Sequence, residues 1–98
     1  MSNSMRWTWD ERKFQENLRK HGLDFVTASA VFGDPLSLSR LDIYPNEERW
    51  QTIGMAGSLC IFVVHTYPAE QGEPSQARII SARRATKNER KDYEAGKF

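Results

Sequence analysis

Ala77-Arg78-Ile79-Ile80-Ser81-Ala82-Arg83-Arg84-Ala85-Thr86-Lys87-Asn88-Glu89-Arg90 is the stretch that decides how this chain folds. Its first half is β-branched and apolar, flanked by arginines, and reads as a strand over residues 76–83. Its second half contains Thr86-x-x-Glu89, a capping box that starts a helix. The strand therefore hands over directly to a helix, predicted over 87–95 and ending at Gly96. Arginines at a strand end, beside a helix N-terminus, bring fixed positive charge and backbone N–H groups together. That combination suits a phosphate, so a nucleic acid or another phosphorylated ligand is the expected class of partner.

Upstream of this stretch the period of two continues. Leu59–Thr66 is the most apolar strand, Arg49–Met55 precedes it across a Gly57-Ser58 turn, and Leu36–Ser39 alternates. Pro45–Glu48 and Pro68–Ser75 read as loops. If strands 59–66 and 76–83 form a hairpin, His65 is expected roughly opposite Arg78. Val63 and Ile80 then share one face, and Phe62, Val64, Ile79, Ser81 and Arg83 the other.

The N-terminal third is helical. Arg6–Trp9 is a short strand, Asp10 an N-cap, and 11–20 a helix with Phe14 and Leu18 as its buried stripe; Gly22 takes the C′ position. Asp24 caps a second helix over 25–32, which Gly33-Asp34-Pro35 stops. The prediction is an α+β fold: an N-terminal helical pair and a C-terminal helix packed on a small, curved antiparallel sheet. Residues 1–5 read as a disordered lead-in to one domain over 6–98.

Composition narrows the function. The chain has 98 residues, a net charge of +1 and a single cysteine, Cys60, which sits in an apolar run and reads as a buried, inert thiol. The longest apolar run, Leu59–Val64, is too short to cross a membrane, and no leader resembling a signal peptide precedes the domain, so the cytoplasm is expected. Charge is unevenly placed. Residues 24–50 hold two basic and five acidic side chains; residues 78–98 hold seven basic and three acidic. A local basic region on a near-neutral protein fits selective contact with an anion, although Lys87, Lys91 and Lys97 also fit a solvated helix face.

His21, His65 and Cys60 have no metal-ligand spacing. No glycine-rich phosphate loop or nucleophile elbow is present either, so neither a metal nor a cofactor is expected. RNA cleavage by the RNA's own 2′-OH needs neither. It needs a proton acceptor, a proton donor and positive charge for the phosphorane. His65 and Glu48 are the candidates for proton transfer, and Arg78 and Arg83 for gripping phosphate. Each has a plainer reading: His65 bonded to backbone, Glu48 paired with Arg49, the arginines in internal salt bridges. Trp7, Trp9 and Trp50 suit base stacking or the core.

The ordered set Trp9-Asp10, Lys20-His21-Gly22-x-x-Phe25, Val31-Phe32-x-Asp34-Pro35, Glu48-Arg49, Ile53-Gly54, Val63-Val64-His65-Thr66 and Arg78-Ile79-Ile80-Ser81-Ala82-Arg83-x-Ala85-Thr86-x-x-Glu89-Arg90 resembles the BrnT family of toxins. The likeness runs from about Arg6 to Tyr93. It implies a RelE-like ribonuclease, the toxin half of a type II toxin–antitoxin pair that cleaves RNA and inhibits translation. It also implies a BrnA-like ribbon-helix-helix antitoxin as partner, with operator DNA reached only through that antitoxin. Ranked by their chemistry alone, the candidate catalytic residues are Arg78, Arg83, His65 and Glu48, and the candidate RNA-binding residues are Lys20, His21, Arg49 and Arg84. The segment Tyr67–Gln76 is longer than the short turn associated with the family. The alternatives are a non-catalytic module that binds nucleic acid or antitoxin, and a decayed toxin that keeps only antitoxin binding.

Overall fold

The computed structural model describes residues 6–42, 48–66 and 76–98. The expected lead-in at 1–5, most of the 45–48 loop and the 68–75 loop lie outside them. Among the described residues, β1 (Arg6–Trp9), β2 (Leu38–Asp42), β3 (Arg49–Ala56), β4 (Leu59–His65) and β5 (Gln76–Arg84) form one sheet in the order β1-β5-β4-β3-β2. The helices are α1 (Glu11–His21), α2 (Phe25–Ser29), continued as a 3-10 turn over Ala30–Gly33, and α3 (Lys87–Ala95).

The caps form where the sequence puts them. Asp10 accepts from the Arg12 and Lys13 amides, and Asp24 accepts from the Thr27 amide. Thr86 and Glu89 close both halves of the capping box, and Gly22 and Gly96 end α1 and α3 in the left-handed region.

Strands β2 to β5 form the expected antiparallel meander, but the sheet is mixed, because β1 pairs parallel with β5. Helix α1 supplies part of the crossover that a parallel neighbour requires. The register of the β4–β5 hairpin also departs from expectation. Phe62 faces Arg83, Val64 faces Ser81 and Val63 faces Ala82, but His65 faces Ile79, with a shift between Val64 and His65. Ile80 is thus an extra residue, a bulge, and it puts Ile79 and Ala82 on the same face. Arg78 lies opposite Thr66, whose amide donates to the Arg78 carbonyl at 2.9 Å.

One face of the sheet is covered by α1 and α2. Phe25, Val31, Ile61, Val63, Ile79 and Ala82 form its core, with Trp7, Trp9, Phe14 and Phe32 packed around it. Trp7 stacks on Phe32 at 3.8 Å, and Trp9 packs edge-on against Phe25. These two tryptophans belong to the core. On α1 the buried partner of Phe14 is Asn17, not Leu18, which is 40% exposed. The Asn17 carboxamide bonds to the backbone of β5, so the helix is turned to bury that polar group.

Asp34 ties the second helix to the opposite face. Its carboxylate accepts from the Leu36 amide, from the Met55 amide of β3 and from the Tyr93 hydroxyl of α3 at 2.6 Å. The Tyr93 bond holds the Asp34 carboxyl below its ordinary range and pushes the phenol up to about 12. Gly54 allows this junction. A Cβ there would stand 2.9 Å from Val31 Cγ1 and 3.2 Å from Asp34 Oδ2. Gly54→Ala is therefore expected to destabilise the fold by about 2 kcal/mol, read as a lowered urea midpoint; an unchanged midpoint would contradict this packing.

Candidate nucleic-acid interface

The ladder registers assign each side chain to a face, because successive residues of a strand point to opposite sides. Arg40 pairs with Gln51, Gln51 with Val64 and Val64 with Ser81. The next row is Leu38, Ile53, Phe62 and Arg83. In the row flanking Arg40 and Gln51 on the same face, Asp42 pairs with Arg49, and Thr66 lies beside Arg78. All of these point away from the α1–α2 core. Arg40, Arg49, Arg78 and Arg83 therefore share one sheet face around a floor of Gln51, Val64 and Ser81. Among the described residues, helix α3 and Phe98 cover part of this face, and Arg40 and Arg78 are exposed on it.

Each arginine of known contact is oriented. Arg83 donates from both terminal nitrogens to the Glu89 carboxylate, at 2.8 and 2.9 Å, and its Cζ stands 4.2 Å over the Phe62 ring. This fork pulls the Glu89 carboxyl down to about 2 and raises Arg83 further. Arg40 donates from Nε to Gln51 Oε1 at 2.6 Å and lies 4.1 Å over the Phe98 ring. Such bonds fix the guanidinium planes and leave their flat faces for stacking.

The candidate residues read from the sequence separate into groups. Arg78, Arg83 and Arg49 lie on the open face, joined by Arg40, which sequence reasoning missed. Its signal was weak: an arginine at an alternate position of a short strand, with nothing to say which face it joins. Arg78 and Arg83 are five residues apart on one strand, about 16 Å between their Cα positions. Arg83 also forms the internal salt bridge that was its plainer reading. Glu48 is exposed, just before β3. Lys20 and His21 are exposed on α1 and line a groove of about 200 Å³ with Lys13, Glu16 and Ser81. Arg84 is exposed on the side of the sheet opposite Arg83.

His65 belongs to the covered face and has no exposed surface. It packs edge-on against Trp7 and Phe32, at 5.3 and 4.8 Å. Its Nδ1 lies 3.2 Å from the Thr66 carbonyl and its Nε2 2.6 Å from Thr52 Oγ1. A carbonyl only accepts, so Nδ1 carries the proton and Nε2 accepts from Thr52. Thr52 Oγ1 then accepts from the Ser39 hydroxyl at 2.7 Å. Burial holds the imidazole neutral, with its pKa pushed down to about 4. Thr66 Oγ1 in turn accepts from the Arg78 amide at 3.1 Å. The histidine thus braces the strand end that carries Arg78. Cys60 is buried, and burial raises its thiol.

Among the described residues, no helix is long and apolar enough to cross a membrane. The sequence profile described as "Ribonuclease toxin, BrnT, of type II toxin-antitoxin system" matches residues 9–89. The chain belongs to the BrnT toxin family. Its fold is similar to the crystal structure of the Brucella abortus ribonuclease toxin, BrnT, with a TM-score of 0.58 and 26% identity over 86% of this chain and 100% of that one. No curated protein matches the chain. The matched span of this BrnT-family chain includes all four arginines of the open face and the Arg83–Glu89 fork.

Proposed function

We propose that this protein is a metal-free endoribonuclease, the toxin of a type II toxin–antitoxin pair, and that RNA lies across the open sheet face. The observation that carries this reading is the grouping of Arg40, Arg49, Arg78 and Arg83 on that face. Guanidinium groups recognise phosphate through a planar fork and stay charged at any working pH. Family membership and the likeness to a ribonuclease toxin agree with it.

In the reaction the substrate's 2′-oxygen attacks the adjacent phosphorus and the bond to the 5′-oxygen breaks, leaving a 2′,3′-cyclic phosphate. The 2′-OH proton goes to a base, and the departing 5′-oxygen takes up a proton. Glu48, exposed beside Arg49, is the candidate acceptor. Arg83 and Arg78 contact successive parts of the strand, and the one nearer the scissile phosphate stabilises the phosphorane. His65 acts as a positioning residue through Thr66. Lys20, His21 and Arg84 lie off this face, where they steer the RNA. A BrnA-like ribbon-helix-helix antitoxin is the proposed neutralising partner and the route to operator DNA, and the cytoplasm is the proposed site of action.

The test is induction of this chain alone in a bacterial host, beside an Arg78→Ala/Arg83→Ala variant checked for folding. Wild type is expected to arrest growth with loss of RNA integrity, and the variant to cleave about 100-fold more slowly and permit growth. Arrest by both proteins would reject these arginines, and intact RNA with normal growth would reject the enzyme. A second reading, a binding module without catalysis, is favoured by one observation: the burial of His65. RNA affinity that falls steeply with salt, without cleavage products, would decide for it.

A further inference from the structure

We propose that the slot beneath the Arg40 guanidinium, filled in this structure by the Phe98 ring, is the seat of an RNA base, and that Phe98 is an internal stand-in which the base displaces. This rests on the reading of the open face as the RNA surface.

The slot has two walls. Arg40 lies 4.1 Å above the Phe98 ring, and Phe62 meets that ring edge to face at 6.1 Å and 80°. Arg83 stacks on Phe62 at 4.2 Å. The four side chains run guanidinium, ring, ring, guanidinium, with Arg40, Phe62 and Arg83 on β2, β4 and β5 and Phe98 beyond α3. Both guanidinium planes are held by bonds of their own, Arg40 to Gln51 and Arg83 to Glu89. The slot is therefore preformed.

A flat π face under a guanidinium and against an aromatic ring is the arrangement that holds an unstacked base. Phe98 supplies the π face but no phosphate. A nucleotide entering the slot would replace the ring contact and add a charged contact to the flanking arginines. Phe98 is placed to leave. It lies beyond left-handed Gly96, and the Lys97 amide bond to the Asp92 carbonyl at 2.8 Å ends the helix before it. Phe62 is 7% exposed with Phe98 in place. Departure of Phe98 opens its edge to a ligand.

The experiment measures the affinity of the full chain for a short single-stranded RNA whose 2′-positions are methylated, which blocks 2′-OH attack. The same strand with abasic positions serves as comparison. Phe98→Ala is expected to tighten binding of the base-bearing strand about tenfold and to leave the abasic strand within twofold. Phe98→Leu keeps the apolar cover but loses the π face; a tightening of about threefold is expected. Arg40→Lys keeps the charge and loses the plane, so it should weaken the base-bearing strand about tenfold without changing the salt slope. Equal tightening of both strands by Phe98→Ala, or none, would overturn the slot while leaving the RNA surface intact. Wild-type protein that binds neither strand at low salt would overturn the surface, and the slot with it.

Discussion

Asn17→Ala is expected to lower the free energy of unfolding by about 3 kcal/mol, and the melting temperature by roughly 15 °C. Strand β1 stops at Trp9, opposite Ile79, while β5 runs on to Arg84. Beyond Ile79 the outer edge of β5 has lost its strand neighbour. The Asn17 carboxamide takes that place. Its Oδ1 accepts from the Ala82 amide at 3.0 Å, and its Nδ2 donates to the Ala82 carbonyl at 2.8 Å and the Leu23 carbonyl at 3.1 Å. The residue is 5% exposed, so these bonds are largely shielded from water. Alanine leaves one donor and two acceptors buried and unpaired, each costing about 1–3 kcal/mol in isolation and less after relaxation. Asn17→Asp is expected to be worse at neutral pH, because a carboxylate would face two carbonyl oxygens; acid should narrow its deficit relative to alanine. Gln15, exposed on the same helix, supplies the control. Urea unfolding checks both, and an alanine variant within 1 kcal/mol of wild type would reject Asn17 as a surrogate strand.

Asn17 also marks what local pattern reading misses. A mid-helix asparagine beside Glu16 reads as a solvent residue, and Phe14 with Leu18 reads as the stripe. Only the unequal lengths of β1 and β5, a tertiary fact, create a pair of orphan backbone groups for the amide to reach. The same kind of fact misplaced the hairpin register. Alternation along 76–83 predicts Val63 beside Ile80, and one extra residue at the bulge moves Ile79 to the core instead. By contrast the caps at Asp10, Asp24 and Thr86 and the stops at Gly22 and Gly96 were legible because each rests on bonds within a few residues, and β4 was legible from its own apolar run.

The interface was legible in composition and not in arrangement. The arginines of the last strand stand out in the sequence. The pairing of β2 with β3 does not, and it is this pairing that turns Arg40 and Arg49 toward the face of Arg83. Proton transfer by His65 would require a strand end open to solvent. The bulge and the Trp7–Phe32 stack instead seal it inside. The chemistry that the sequence offers to histidine becomes, in the fold, support for the backbone beneath Arg78.

That burial has a measurable consequence in acid. The folded His65 imidazole is held at about 4, below its ordinary 6.5, because burial strips water from its charged form. The unfolded chain therefore binds the proton first. Stability from this group is complete above pH 6.5, declines as pH falls from 6.5 to 4, and does not change further below 4. The expected loss across that window is about 3 kcal/mol. Glu89, with its carboxyl held at about 2, and Asp34, held below its usual value, act lower. Their contributions are present above the ordinary carboxyl range and fail only as pH drops through it, so they steepen acid unfolding below about 4.5 without touching the upper part of the histidine window. Urea titrations at pH 7.5, 6.5, 5.5 and 4.5 should show the midpoint falling before any carboxylate is engaged. His65→Gln, which cannot titrate, should be less stable at pH 7.5 yet flat from 6.5 to 5. A wild type that is flat over that interval, or a glutamine variant that keeps the slope, would remove the neutral, buried imidazole from this account. The same titration followed in RNA cleavage separates bracing from proton transfer. A positioning His65 predicts that activity follows the folded fraction as pH falls, whereas a catalytic imidazole would impose its own titration on the rate while the protein is still folded.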